Sequence, residues 1–118
     1  MDEEVFESLV ISLGNMHRFK IIHMDINPEN IMWSRSKRKP VFIDFEFSDI
    51  IKEEPGYKTL TSFHGTPLFI SADMLKLFQY DSSKEAYVDL YYNDLVALFS
   101  TRDELRREKI KSFPNYSQ

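Results

Sequence analysis

The sequence contains no cysteine, so neither a disulfide nor a thiolate metal site is open to it. Only three residues are glycine and five are proline, which excludes collagen-like and low-complexity chains. No apolar run approaches the roughly 20 residues that span a bilayer. Positive charge is not in excess: the net charge is −4 over 118 residues, where a nucleic-acid partner calls for a basic face. The one basic cluster, RSKRK at 35–39, reads as a short solvated turn. The first residues, MDEEVFESLV, are acidic, unlike a signal or transit peptide. Together these absences lead to the expectation of an intracellular, cytoplasmic protein with no membrane and no nucleic-acid partner.

What remains is ordinary for one domain or part of one. Hydrophobic residues make up 42% of the chain, and ten are Phe, enough for a real core. Val5, Phe6, Leu9, Val10, Leu13 and Met16 recur at three- and four-residue steps, which predicts an amphipathic helix over 4–19. Asp2, Glu3 and Glu4 suit its positive N-terminus, and Gly14 is its weak point. After the short apolar run Ile21–Ile22, NIMWS (30–34) and VFIDFEF (41–47) read as two strands of a hairpin. EEPGY and GTP mark turns. A short helix is predicted over 71–78 with Ser71 as N-cap. A buried helix is predicted over 86–99, with Leu90, Tyr91, Leu95, Leu98 and Phe99 on one broad face. Thr101 and Glu104 fit a capping box, which would start a separate charged helix running to about Lys111.

The segment HMDINPEN, residues 23–30, gathers a His, two acids and two Asn around one Pro between apolar runs. IIHMDINPENIMW resembles the catalytic loop of the protein kinases, His-Arg-Asp with an Asn five residues after the Asp. FIDFEF resembles the Asp-Phe-Gly segment, and GTPLFISADML is similar to the end of an activation segment. YNDLVALF resembles the buried helix behind the loop. The order and spacing of the four pieces agree, and the resemblance covers roughly residues 4–100, followed by a charged helical tail over 101–118.

That resemblance implies an α+β, mainly helical fold: a partial kinase-like large (C-terminal) lobe in which a small β-hairpin carries the catalytic and metal-binding loops. It implies ATP and Mg²⁺ as cofactors and phosphoryl transfer to Ser or Thr of a protein substrate. Phosphoryl transfer needs positioning and charge neutralisation more than covalent chemistry. Asp25 would accept the proton of the attacking hydroxyl, and Asn30 and Asp44 would supply oxygen ligands to the hard cation. Asn27 stands in the catalytic loop where many Ser/Thr kinases carry a Lys that contacts the transferred phosphate. Pro28 would stiffen the loop. His23 would brace it, Asp94 (or Asp89, in another register) would hold it from below, and Asp73 would keep the acid of a buried ion pair.

The departures from the pattern carry their own implications. Met24 replaces the loop Arg, so pairing with a phosphorylated activation-loop residue is not expected. Asn27 removes a positive charge, and Glu46 replaces a Gly and adds a carboxylate beside a metal site. Ala72 and Asp73 replace Pro-Glu. No Gly-rich loop or strand Lys precedes the first helix, so the resemblance implies a partial domain, inactive as 118 residues alone. A degenerate kinase serving as a protein-interaction module, or a truncated gene product, are the competing readings. A small-molecule phosphotransferase of choline-kinase or aminoglycoside-kinase type is a further one, because FIDFEF suits those enzymes. His17 and His64 read as partly exposed helix or loop residues rather than ligands. Trp33, Phe42, Phe45 and Phe47 read as core and hairpin packing. Thr59, Thr61, Ser62 and Thr66 are candidate phosphorylation sites.

Overall fold

A computed structural model describes residues 2–52, 57–60, 66–79, 86–107 and 115–116 of the chain. It is a mixture of helices and short strands. The first helix, α1 (Glu3–Arg18), begins where Asp2 accepts a hydrogen bond from the Glu4 N–H at 2.8 Å. It ends after Arg18, where Lys20 takes a positive φ of 64°. Phe6, Leu9 and Leu13 form its buried stripe, each burial contributing about 1.5–3 kcal/mol. Gly14 lies on the exposed face, with nothing near its missing side chain.

After α1 the chain makes β1 (Ile21–Ile22), then the 23–30 loop, which closes in a single 3-10 turn, Pro28–Asn30. Strands β2 (Ile31–Ser34) and β3 (Lys39–Phe42) form the expected antiparallel hairpin, with Ile31 opposite Phe42 and Ser34 opposite Lys39. Residues 35–39 are exposed at its tip, as the charge pattern predicts. The predicted second strand is cut short. The Ile43 N–H still donates to the Asn30 carbonyl at 2.9 Å, but Asp44 then takes φ 58°, and a left-handed residue cannot continue a strand. Phe45 and Phe47 are consequently 46% and 39% exposed rather than packed in the core, whereas Phe42 is buried.

Strand β4 (Asp49–Ile50) pairs antiparallel with β1, and β5 (Tyr57–Leu60) pairs antiparallel with β6 (Ala86–Asp89). Helix α2 (Ala72–Gln79) lies between them in sequence, and its N-cap is Ser71, whose hydroxyl accepts from the Met74 N–H at 3.3 Å. Helix α3 is Leu90–Arg107, and β7 (Asn115–Tyr116) adds to β2 in parallel register.

Two expectations for the last third are corrected. Residues 86–89 are strand, and the helix begins at Leu90, where Asp89 caps it by accepting from the Tyr92 N–H at 3.0 Å. No new helix starts at Thr101: α3 runs straight through, and the Thr101 hydroxyl donates to the Ala97 carbonyl at 2.8 Å, four residues back. The boundary expected between 100 and 101 therefore falls inside a helix whose Thr101 and Leu105 are both buried. Leu95 and Phe99 lie on the exposed side. The buried stripe is Leu90, Asn93, Asp94, Ala97, Leu98, Thr101 and Leu105, and three of those residues are polar. The Arg102 guanidinium lies over the Phe6 and Phe99 rings, 4.7 and 5.0 Å from their centroids, and joins the far half of α3 to α1.

Two apolar clusters result. One joins α1, the hairpin and α3 through Phe6, Leu9, Leu13, Ile26, Ile31, Phe42, Phe69, Ala97 and Leu98. The other gathers Ile22, Met24, Ile51, Met74, Val88 and Leu90. The 23–30 loop runs between them, with Met24 in the second cluster and Ile26 in the first. Apolar side chains on alternate loop residues thus anchor it on both sides.

Candidate functional site

The loop is held from beneath by one carboxylate. Asp94 is wholly buried on α3. Its Oδ2 accepts from the backbone N–H of His23 at 2.8 Å, and its Oδ1 from that of Met24 at 2.9 Å. A third donor, Nε2 of His17 on α1, reaches Oδ2 at 2.9 Å. A buried carboxylate is tolerated when donors satisfy it, and hydrogen bonds to an ionised acceptor are the stronger kind. Asp94, not Asp89, therefore occupies the place beneath the loop; Asp89 serves as the α3 cap. Met24 adopts φ 77°, a conformation that non-glycine residues take only when their surroundings enforce it. Here the Asp94 carboxylate and the apolar cluster around the Met24 side chain enforce it.

His23 is buried above this contact. Its Nε2 donates to the Ile43 carbonyl at 2.8 Å, and its Nδ1 accepts from the Asp25 N–H at 3.1 Å. A carbonyl can only accept and an amide N–H can only donate, so the ring is a neutral tautomer with its proton on Nε2. Its ring lies 4.9 Å from that of Phe45 and 5.9 Å from that of Phe42. One imidazole thereby ties the loop to the end of the hairpin.

Asp25 is half-buried, and its carboxylate is ringed by neutral donors. The Thr66 hydroxyl donates to Oδ1 at 3.1 Å, and the Asn27 amide lies 3.2 Å from the same oxygen. The Asn30 amide reaches Oδ2 at 3.2 Å and the Asp25 carbonyl at 2.8 Å. Asn27 also donates to Thr66 Oγ1 at 3.2 Å, while its own Oδ1 accepts from the Glu29 N–H at 2.9 Å and caps the 3-10 turn. Such a carboxylate, oriented by neutral groups, can take a proton from a hydroxyl placed against it.

The oxygen set also fits a hard cation. The Asn30 amide hydrogens are directed at Asp25, and no described residue donates to its Oδ1. Asp44 is exposed, and among the described residues it engages the Glu46 N–H alone, through Oδ1 at 3.3 Å. A carboxamide oxygen and a carboxylate suit Mg²⁺, which keeps several waters and takes few protein ligands. Among the described residues no group of three or more His, Cys, Asp or Glu gathers.

The structure thus brings together His23, Asp25, Asn27, Asn30 and Asp94, with Asp44 next to the Ile43 that pairs with Asn30. Asp73 is not with them. Its side chain is 51% exposed and meets Lys76, one helical turn on, at 3.7 Å, so it forms no buried ion pair among the described residues. Sequence reasoning missed three participants. His17, read as a partly exposed residue, is 15% exposed, bonds Asp94 and stacks edge-on against Tyr91. Thr66, read as a candidate phosphorylation site, bonds Asp25. Asn93, buried beside Asp94, accepts from the Ser71 N–H at 2.8 Å. The signal for His17 and Thr66 lay in their tertiary partners, far away in the chain. For Asn93 a local sign existed, a polar residue on the buried stripe of α3. His64, Thr59, Thr61 and Ser62 have side chains outside the described residues.

Comparison with known proteins gives one consistent family. The sequence model described as the protein kinase domain matches residues 2–91. The Caenorhabditis elegans serine/threonine-protein kinase nekl-2 is 29% identical over 85 residues, 71% of this chain and 23% of that protein. The rabbit MAP kinase-activated protein kinase 2 is 28% identical over 82 residues, 68% of this chain and 22% of that protein. The Dictyostelium discoideum probable serine/threonine-protein kinase fhkB is 28% identical over 75 residues, 62% of this chain and 6% of that protein. The chain thus spans less than a quarter of each of these relatives. No helix among the described residues is long and apolar enough to cross a membrane.

Proposed function

This chain belongs to the protein kinase domain family, and from that premise we propose that it is the catalytic-loop portion of the large lobe of a protein serine/threonine kinase. In the complete domain it serves Mg²⁺- and ATP-dependent transfer of a phosphoryl group to a Ser or Thr hydroxyl of a protein substrate. The observation that carries the reading is the held carboxylate of Asp25, set between Asn30 and Thr66 on a backbone clamped by Asp94. Asp25 accepts the hydroxyl proton as the substrate oxygen bonds to the γ-phosphorus and ADP leaves. Asn30 and Asp44 would hold Mg²⁺, which would supply neutralisation of phosphate charge. His23 and Asp94 keep the loop backbone in place through the reaction, where a small displacement lowers the rate steeply.

The test is Asp25→Ala in the full native protein, assayed with radiolabelled ATP, Mg²⁺ and a Ser/Thr peptide library. Transfer is expected to fall by about 10²-fold or more; transfer at the unaltered rate overturns the assignment.

A second reading, a degenerate kinase that binds a protein partner without transferring phosphate, is favoured by Asn27. In place of a cation, an uncharged amide lies 3.2 Å from Asp25, and the carboxylate of Glu46 stands two residues from Asp44. Mg²⁺-dependent turnover by the native protein, abolished by Asp25→Ala, rules this reading out.

A further inference from the structure

Two successive residues of α3 hold the two chain segments that meet at Asp25. Asp94 takes the loop, through the N–H groups of His23 and Met24. Asn93, 1% exposed, takes the other segment: its Oδ1 accepts from the Ser71 N–H at 2.8 Å. Between Ser71 and Thr66 the chain is short and constrained. The Phe69 N–H donates to the Thr66 carbonyl at 2.8 Å, closing a 3-10 turn, and the Phe69 side chain is buried in the cluster with Ala97 and Leu98. Thr66 then donates to Asp25. The path Asp94–loop–Asp25–Thr66–Ser71–Asn93 is closed on one helix.

We propose that Asn93 is a positioning residue that sets the Thr66 hydroxyl against Asp25. Ser71 caps α2 with its own hydroxyl, so Asn93 is not needed to start that helix. It satisfies the N–H of the capping residue itself, at a buried point where water does not substitute freely. An apolar residue of similar size leaves that N–H without an acceptor, and a buried unsatisfied donor is costly enough to displace its segment. Displacement of Ser71 is carried through the 3-10 turn to Thr66 and loosens Asp25. The structural part of this inference stands alone, and its catalytic consequence rests on Asp25 being the proton acceptor.

The experiment compares Asn93→Leu, Thr66→Val and the double variant in the full native protein, by amide hydrogen exchange and by steady-state kinetics. In Asn93→Leu, exchange is expected to speed up about tenfold at Ser71, from the lost hydrogen bond, and also at Asp25 and its loop neighbours. The double variant should exchange at Asp25 no faster than Thr66→Val alone, because both act through one contact. Acceleration confined to Ser71, or effects at Asp25 that simply add, overturns the proposal. Should Asn93→Leu fail to fold, Asn93→Ala takes its place; an unchanged loop in that variant is equally decisive. In the kinetics, kcat should fall about tenfold or more with KM for the peptide unchanged, the mark of misplacement rather than weaker binding. If Asp25→Ala transfers at the unaltered rate while the exchange coupling persists, the kinase reading fails and the positioning role survives. If Asp25→Ala is inactive but Asn93→Leu changes neither loop exchange nor kcat, the positioning role fails alone.

Discussion

The backbone N–H of Met24 lies 2.9 Å from Oδ1 of Asp94, 70 residues away in sequence, and Met24 is held there at φ 77°. A strained residue on the loop and a buried charge on α3 thus stabilise one another. The same carboxylate accepts from His23 and His17, so its loss unpairs groups on two elements.

Asp94→Ala should therefore lower stability by about 3–5 kcal/mol, the range for stripping a buried charged partner from its donors. Asp94→Asn, which keeps one acceptor oxygen but turns an NH₂ toward the second amide, should cost about 2 kcal/mol. Asp89→Ala, which removes only a helix cap, should cost about 1 kcal/mol. Urea denaturation of the three variants gives the order directly; equal losses at 89 and 94 would contradict the geometry.

Met24→Arg restores the residue usual at this point of the kinase loop, yet it should destabilise. The side chain lies 5% exposed among Ile22, Met74, Val88 and Leu90, and the neighbouring Asp94 carboxylate is already engaged by three donors. Burying a guanidinium there should cost about 3 kcal/mol or more. An unchanged melting temperature would mean that the loop can turn this side chain out to solvent.

Thr101→Pro distinguishes a continuous α3 from two helices. A proline inside a helix removes a hydrogen bond and clashes with the preceding turn, costing about 3 kcal/mol or more. At a helix start it is tolerated. Loss of helical circular dichroism with a lowered unfolding midpoint is expected, and wild-type behaviour would place a break at 101 after all.

Gly14→Ala should stabilise the protein by about 1 kcal/mol, because glycine in a helix interior is that much worse than alanine. The site is exposed and a new Cβ meets nothing. A small upward shift of the thermal midpoint is the readout; a decrease would mean that this face of α1 is covered in the native protein.

The local elements were legible wherever the pattern was local. The stripe from Phe6 to Leu13 marked α1 to within a residue at each end, and turn chemistry separated the two hairpin strands. The end of β3 was not legible. Asp44 turns left-handed beside a His23–Ile43 bond that closes across 20 residues, and an alternating apolar pattern simply continued through it. The course of α3 was misread for a related reason. Thr101 and Glu104 match a cap in sequence, but once the Thr101 side chain is buried its hydroxyl turns back to Ala97. Its buried stripe was hidden because Asn93, Asp94 and Thr101 occupy core positions, and polar residues there are invisible to a periodicity of apolar ones.

By itself, the order of residues determined the kind of chemistry available: oxygen donors without thiolates, an acid and an amide five apart around a proline, and helices and strands short enough to frame them. Those are properties of neighbours, set by spacing and side-chain type. Which carboxylate lies under the loop and which hydroxyl meets Asp25 were decided only by the tertiary structure. Each depends on groups 41 to 77 residues apart, and a contact between distant segments forms only when packing of the whole chain offsets the entropy of bringing them together.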